Sequence, residues 1–461
     1  MTLAVKNPAT GELLTEVETF DVDDVPAIVG RADTAQKEWA KVAPRERGEI
    51  LRACWQAMID NEDYLARLIT SENGKPIADG HAEVKYAAEF FRWNSEEAVR
   101  LDGDVGFLPN GGGRKIVLRQ PIGVVLAVTP WNFPAAMLTR KLAPALAAGC
   151  AVVAKPASLT PITAVRLASI FQKVGLPADV FQVIPTRNTG GVVQACLDQD
   201  PVRKLSFTGS TEVGATLLSQ AAPRVVSCAM ELGGNAPFLV LGDSDIPAAI
   251  EAALVAKLRH NSQTCTAANR FYVAEPVIDA FTDALVDRFE KLVVGDGIDP
   301  ETTVGPLIDD KSLKKVDELV RAAIDAGATA ATGGKILDRA GTFFAPTILT
   351  GVTPDNPILR EEIFGPVAPI VAVPDDDERI LALANDCEVG LAGYVTSGDF
   401  ARGLAVAERL EVGMVGLNRG IVSDPSTPFG GVKASGIGRE GGHEGVLAFT
   451  EAKLIATEWT R

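Results

Sequence analysis

The segment Ile122-Gly123-Val124-Val125-Leu126-Ala127-Val128-Thr129-Pro130-Trp131-Asn132-Phe133-Pro134 sets the pattern of the chain around it. An apolar run rich in β-branched residues stops at a Thr-Pro pair, which reads as a buried strand ending in a loop. Residues 135–148 have helix length, and Ala151–Ala154 is a second apolar run. The rhythm continues with helix-length segments 161–174 and 189–198 between the strand-like Val180–Ile184 and Lys204–Phe207. Pro161 and Pro177 punctuate it as helix start and loop. Strands alternating with helices make a parallel sheet covered on both faces, so the chain is α/β and doubly wound here.

A second alternating block follows Gly233-Gly234. Ala236–Leu241 and Arg270–Val273 read as strands; Asp245–Arg259, Pro276–Leu292 and Asp310–Ala326 read as helices. Upstream, Asp21 to Arg100 is helical, with apolar residues three and four apart, broken at Asn73-Gly74 and Pro76. Between the blocks, Leu101–Leu108 and Arg114–Gln120 flank the turn Pro109-Asn110-Gly111-Gly112-Gly113 and read as a hairpin. A lone hairpin cannot bury two faces, so it must pack on another element or subunit. The tail from 426 is Gly-rich and ends in the strand-like Ala452–Thr457. Its Gly436-Ile437-Gly438-Arg439-Glu440-Gly441 fits a dinucleotide fingerprint, but no βαβ unit can follow so near the end, and it reads as a flexible turn.

The chain has 461 residues, room for about three units. Lys plus Arg number 44 against 60 Asp plus Glu, a net charge of −16 that repels phosphate backbones and makes nucleic acid an unexpected partner. His81, His260 and His443 are too few and too scattered for a metal centre, so no metal is expected. Six unpaired-looking cysteines and an opening without an apolar run point to reduced thiols in the cytoplasm. The apolar stretch 142–154 is too short to span a bilayer, so no membrane role is expected.

Five local features carry chemistry, each with a bland alternative beside it. Phe207-Thr208-Gly209-Ser210-Thr211-Glu212-Val213-Gly214 joins a strand to a helix, where free backbone N–H groups suit an anion; an ordinary capped loop explains it as well. Lys155 ends an apolar strand, the place where ligands bind in open α/β sheets; a solvated surface lysine is the alternative. Cys265, in Gln263-Thr264-Cys265-Thr266-Ala267, has the small polar neighbours of a reactive thiol, against a structural cysteine. Glu231 stands between apolar residues and Gly233-Gly234, where desolvation raises a carboxyl as a general base requires; a strand-end charge in water is the alternative. Arg259, six residues before Cys265, is by itself a surface charge.

Together and in this order the features resemble the aldehyde dehydrogenase superfamily. The motifs are Thr129–Pro134, Lys155-Pro156-Ala157-Ser158, Phe207–Ser210, Glu231-Leu232-Gly233-Gly234-Asn235, Gln263–Cys265, Glu361-Glu362-Ile363-Phe364-Gly365-Pro366-Val367 and Pro428-Phe429-Gly430-Gly431-Val432-Lys433. Ala135–Lys141 and Arg259-His260-Asn261 add a likeness to its bacterial succinate-semialdehyde dehydrogenases.

The resemblance implies two doubly wound α/β domains plus a small β oligomerisation element. The nucleotide-binding domain would be 1–100 and 122–233, the catalytic domain 234–433, and the oligomerisation element 101–121 and 434–461. A homodimer or homotetramer follows. The implied reaction is NAD(P)-dependent oxidation of succinate semialdehyde to succinate through a Cys265 thiohemiacetal and thioester. Glutarate semialdehyde or another short ω-oxo acid is the alternative; a coenzyme A-acylating relative or a non-catalytic one fits less well, because Cys265 and Glu231 are both present.

By resemblance, Asn132 and the Cys265 N–H hold the oxyanion and Glu231 activates the hydrolytic water. Thr129, Trp131, Asn132 and Leu232 join the cofactor set, in which Lys155 and Ser158 meet the adenine ribose and Gly209 and Ser210 the pyrophosphate. Glu362 and Phe364 meet the nicotinamide ribose and ring. Arg140 and Arg259, with Ser423, would grip the distal carboxylate of a small anionic aldehyde, as a planar guanidinium does bidentately. Ser158 stands where an acid would favour NAD by repelling a 2′-phosphate, so NADP is expected, with NAD also accepted. Ala267 replaces a second cysteine often found there, which removes a disulfide from this loop.

Overall fold

The computed structural model describes residues 1–458; the last three positions of the expected arm segment 434–461 lie outside the described residues. Two sheets dominate, each parallel except for one antiparallel edge strand, Gly436–Ile437 in the first and Thr329–Thr332 in the second. The first runs Gly436–Ile437, Ser227–Glu231, Val202–Thr208, Val124–Val128, Ala151–Lys155, Phe181–Val183 across its six strands, all parallel except the short edge Gly436–Ile437. Counted along the chain, its five parallel strands have the order 3-2-1-4-5 of a doubly wound nucleotide fold. Alternation along each strand explains the two covered faces. Val125, Ala127, Val152 and Ala154 pack under the helices Pro44–Asp60, Ile77–Glu97 and Ala136–Ala148. Val124, Leu126, Val128 and Val153 pack under Val25–Trp39, Thr189–Leu197 and Thr211–Ala221.

The second sheet has seven strands, in the order Thr329–Thr332, Thr347–Thr350, Val367–Val373, Ala268–Ala274, Ala236–Val240, Ala392–Thr396, Met414–Leu417. Helices Ile246–Leu258 and Ile278–Glu290 cover the face of Phe238, Phe271 and Tyr394; Asp310–Asp325, Asp377–Asn385 and Phe400–Arg409 cover the other. A third, three-stranded antiparallel sheet joins Asp104–Phe107, Arg114–Pro121 and Thr450–Thr457.

Three sequence expectations change. An antiparallel hairpin, Thr2–Lys6 with Leu13–Glu18, precedes the helical block, where nothing marked a strand. Gly436–Gly441 is not a free turn: Gly436 and Ile437 pair with Glu231 and Met230. A Cβ on Gly436, at φ +148, would lie 2.0 Å from the Met230 carbonyl, so the pairing needs glycine there. Residues 434–449 therefore pack with the first sheet, the helix Gly442–Leu447 lying on Ala136–Ala148, and only Thr450–Thr457 enters the three-stranded sheet.

Candidate active site

A cavity of about 600 Å³ opens at the carboxyl ends of Val124–Val128 and Val202–Thr208, the neighbouring strands where the chain order of the first sheet reverses. It brings together Trp131, Asn132, Arg140, Gly209, Ser210, Leu232, Arg259, Cys265, Glu362, Phe364 and Ser423. Thr129, Lys155, Ser158 and Glu231 do not line it, although all but Ser158 are buried.

Cys265 follows a tight turn in which His260, Asn261 and Ser262 all have left-handed backbones, φ 52°, 56° and 63°. Non-glycine residues pay for that conformation in strain, and such strain collects at functional sites. Asn261 holds the turn: its Nδ2 donates to the Gly74 and Pro306 carbonyls and its Oδ1 accepts the Gly305 N–H at 2.6 Å. Gly234 lets the loop come close, since a Cβ there would stand 2.4 Å from the Cys265 carbonyl. Burial, then the Glu362 charge, push the Cys265 thiol up to about 12, so the polar sequence neighbourhood does not by itself produce a thiolate.

Asn132 Nδ2 donates one hydrogen to the Gln263 carbonyl at 2.8 Å, and its Oδ1 is buried without a partner. A carboxamide carries two hydrogens on nitrogen, so one remains for a ligand beside Cys265. Glu231 ends its strand buried, with Oε2 unpartnered. Burial and then the Glu440 carboxylate raise it well above the usual carboxyl range, against Lys141 and Arg140. Lys141 in turn bonds Glu440, and Ser206 Oγ donates to the same carboxylate at 3.3 Å. Glu362 accepts the Gly234 N–H at 3.3 Å and is raised to about 7, chiefly by burial.

The lining of the same cavity includes two arginines, Arg140 and Arg259. Arg140 donates to Tyr86 Oη and, at 3.2 Å, to Ser423 Oγ, and its guanidinium stacks 3.8 Å over the Phe429 ring. Its Nε and Nη1 are buried without a hydrogen bond, Nη1 standing 4.0 Å from Glu440 Oε2 in an ion pair. Arg259 sits 5.6 Å from the Tyr86 ring and 5.2 Å from Phe133. Phe429, Lys141 and Glu440 stand in stretches read from the sequence but were given no site role there, and Tyr86 was not singled out at all. Lys141 follows Arg140 directly, but nothing local marks Tyr86, which comes from a helix more than fifty positions earlier.

Toward the cavity mouth, Trp131 meets Phe364 edge to face at 5.6 Å, and Lys315 Nζ donates to the Glu362 carbonyl at 2.7 Å. Ser210 caps its own helix through the Val213 N–H, which is the bland alternative, while the first amides of that helix still lack intrahelical acceptors. A Cβ on Gly209 would strike the Phe207 ring at 2.4 Å, leaving bare backbone at the turn. Lys155 has no hydrogen bond or ion pair among the described residues, and burial lowers its amine to about 8. Ser158 Oγ donates to the Thr186 carbonyl at 3.1 Å. Among the described residues no group of three His, Cys, Asp or Glu could hold a metal. No helix there is long and apolar enough to cross a membrane.

The profile of the aldehyde dehydrogenase family matches residues 1–455. The chain belongs to that family. This aldehyde dehydrogenase is 46% identical over 457 residues to the glutarate-semialdehyde dehydrogenase of Pseudomonas aeruginosa, covering 98% of this chain and 94% of the relative. It is equally 46% identical over 451 residues to the NADP(+) succinate-semialdehyde dehydrogenase GabD of Escherichia coli, covering 98% and 93%. The crystal structure of a succinate-semialdehyde dehydrogenase from Burkholderia pseudomallei superposes with a TM-score of 0.98 at 44% identity, covering 100% of this chain and 95% of that one. The aldehyde dehydrogenase fold expected from the motifs is therefore the fold of this protein.

Proposed function

We propose that this aldehyde dehydrogenase oxidises a short ω-oxo carboxylic acid, succinate semialdehyde first, with NADP preferred and NAD accepted. The observation that carries the substrate class is Arg140. A buried guanidinium whose Nε has no hydrogen-bond partner and whose Nη1 has only a 4.0 Å ion pair with Glu440, beside Arg259, Tyr86 and Ser423 in the cavity of Cys265, suits an anionic tail. Relatives bearing the succinate and glutarate names are equally similar, and glutarate semialdehyde is the second reading.

The residues fit a nicotinamide dinucleotide: the bare Gly209 turn, the uncapped amides before Val213, and the buried, unpartnered Lys155 suit an anionic, hydroxyl-bearing ligand. Bound, the dinucleotide supplies the hydride acceptor. Lys155 and Ser158 would meet its adenine ribose, Gly209 and Ser210 the pyrophosphate, Glu362 and Phe364 the nicotinamide end, with Thr129, Trp131 and Leu232 beside them.

Cys265 adds its sulfur to the aldehyde carbon and loses its proton, giving a thiohemiacetal whose oxyanion takes the free Asn132 hydrogen and the Cys265 N–H. Such donors contribute roughly 3–4 kcal/mol each. Loss of hydride from that carbon leaves a thioester on Cys265. Glu231, raised by burial and the Glu440 carboxylate and so more basic once ionised, deprotonates the water that hydrolyses the thioester to the carboxylate and free thiol. Net, aldehyde, oxidised cofactor and water become carboxylate, reduced cofactor and protons.

The first sheet with the helices before it forms the nucleotide-binding unit, the second sheet the catalytic unit, and the three-stranded sheet an arm that pairs subunits in a homodimer or homotetramer in the cytoplasm. A panel of aldehydes with and without a terminal carboxylate, run with NADP and with NAD, tests the reading. Propanal oxidised as efficiently as succinate semialdehyde would remove the substrate assignment.

A further inference from the structure

The break at Asn73-Gly74-Lys75-Pro76, between the helices Glu62–Asn73 and Ile77–Glu97, plays no part in the mechanism above, yet it reaches both halves of the site. Asn73 Nδ2 donates to the Trp131 carbonyl at 3.0 Å. Lys75 Nζ donates to the Asn132 carbonyl at 2.7 Å and to Glu83. Glu83 Oε1 accepts the Ala135 and Ala136 N–H groups at 2.9 and 3.2 Å, at the start of the helix that carries Arg140. On the other side, Asp79 Oδ2 accepts the His260 N–H at 3.0 Å, and the Gly74 carbonyl accepts from Asn261. One knuckle thus holds the Asn132 loop and the Cys265 loop together.

The Lys75 and Glu83 side chains have no exposed surface. A fully buried ion pair is a weak stability device, because desolvation consumes what attraction returns and apolar residues of equal size often serve as well. Its return here is geometry. Lys75 cannot move without leaving Glu83, and Glu83 cannot move without uncapping a helix. The knuckle has no slack of its own: Gly74 has φ +89, and a Cβ on it would lie 2.7 Å from Pro306 and 2.8 Å from Pro8. We propose that Lys75 and Glu83 are positioning residues that set the Asn132 carboxamide against Cys265 and so place the oxyanion donors, without touching substrate. This rests on the oxyanion role given to Asn132.

The test combines Lys75→Met with Glu83→Gln, which removes both charges at similar volume, in the wild type and in Asn132→Ala. Single-turnover cofactor reduction is followed with succinate semialdehyde and with propanal, and NADP affinity by fluorescence. Expected in the wild type is a loss of about tenfold or more for both aldehydes, since displacement by about 1 Å costs up to ~100-fold, with NADP affinity within about twofold. In Asn132→Ala the same pair should change the rate less than about twofold, because its target is gone. A full loss added on top of Asn132→Ala would show general support of the fold and overturn the proposal, as would an unchanged rate in the wild type. Should the double variant not fold, Asn73→Ala cuts only the Trp131 tie. It should lose rate severalfold in the wild type and nothing further in Asn132→Ala; an additive loss, or none in the wild type, overturns the proposal equally. An Asn132→Ala enzyme of full activity would remove the oxyanion reading itself, and this inference with it.

Discussion

At the scale of single residues, reactivity comes from neighbours that are distant in sequence. The Cys265 thiol is pushed up by burial and Glu362, and Glu231 by burial and Glu440, so burial and a carboxylate far off in sequence act together on each group. Glu231→Gln should leave a burst of reduced cofactor followed by slow turnover, because hydride transfer precedes hydrolysis. Stopped-flow absorbance checks this; loss of the burst along with turnover would place Glu231 earlier, at activation of Cys265. A raised carboxyl acts as base only once deprotonated, so wild-type turnover should climb with pH through its raised pKa, and the Gln variant should lose that climb. Arg140→Ala should raise KM for succinate semialdehyde about tenfold or more, the cost of a charge-assisted bond at roughly 1.5–3 kcal/mol, and leave propanal nearly unaffected. Equal effects on both aldehydes would make Arg140 structural. Cys265, Glu231 and Arg140 could be singled out as candidates because each stands inside a local motif. Tyr86 and Glu440 could not, because their contacts cross the fold.

At the scale of elements, the strand Ala151–Lys155 shows how a sheet delivers a lysine into a buried position. Its five residues are all buried, so Lys155 emerges with an amine lowered to about 8 by burial and with no acid beside it among the described residues. Above about pH 8 that amine is mostly neutral in the free enzyme, so KM for NADP should rise with pH there while KM for NAD rises less. Ser158→Glu should cut kcat/KM for NADP sharply, by placing a carboxylate against a 2′-phosphate, and leave NAD unchanged or improved. Steady-state kinetics with both cofactors decides; a variant that treats NADP as before would clear Ser158 of the selectivity. Strands such as Val124–Val128 and Ala236–Val240 could be read because burial on both faces leaves an unbroken apolar run. Thr2–Lys6 with Leu13–Glu18 could not, being a mostly exposed hairpin with no such run. The strand Gly436–Ile437 hid in a glycine-rich stretch whose pairing is visible only once Glu231 is opposite it.

At the scale of the whole molecule, the three-stranded sheet has apolar surface and little to cover it. Cross-strand pairing puts Val105, Ile116 and Ile455 in one row, and Phe107 and Leu118 fall on the same face by the two-residue period. Val105 is 66% exposed, Phe107 60% and Ile455 42%. Leu454 points to the opposite face and is still 61% exposed, so the sheet is wet on both sides. A sheet of this size needs a packed face to be stable, and contiguous exposed apolar surface marks an interface. A chain of net charge −16 repels its own copies, so the attraction that holds an oligomer must come from apolar burial of this kind. Val105→Asp with Ile455→Asp puts two carboxylates into that row without touching the cavity. By sedimentation velocity the wild type should run well above the 48.5 kDa of one chain, and the variant should shift toward it with NADP binding retained. A variant that sediments like the wild type would place the subunit contact elsewhere on the molecule.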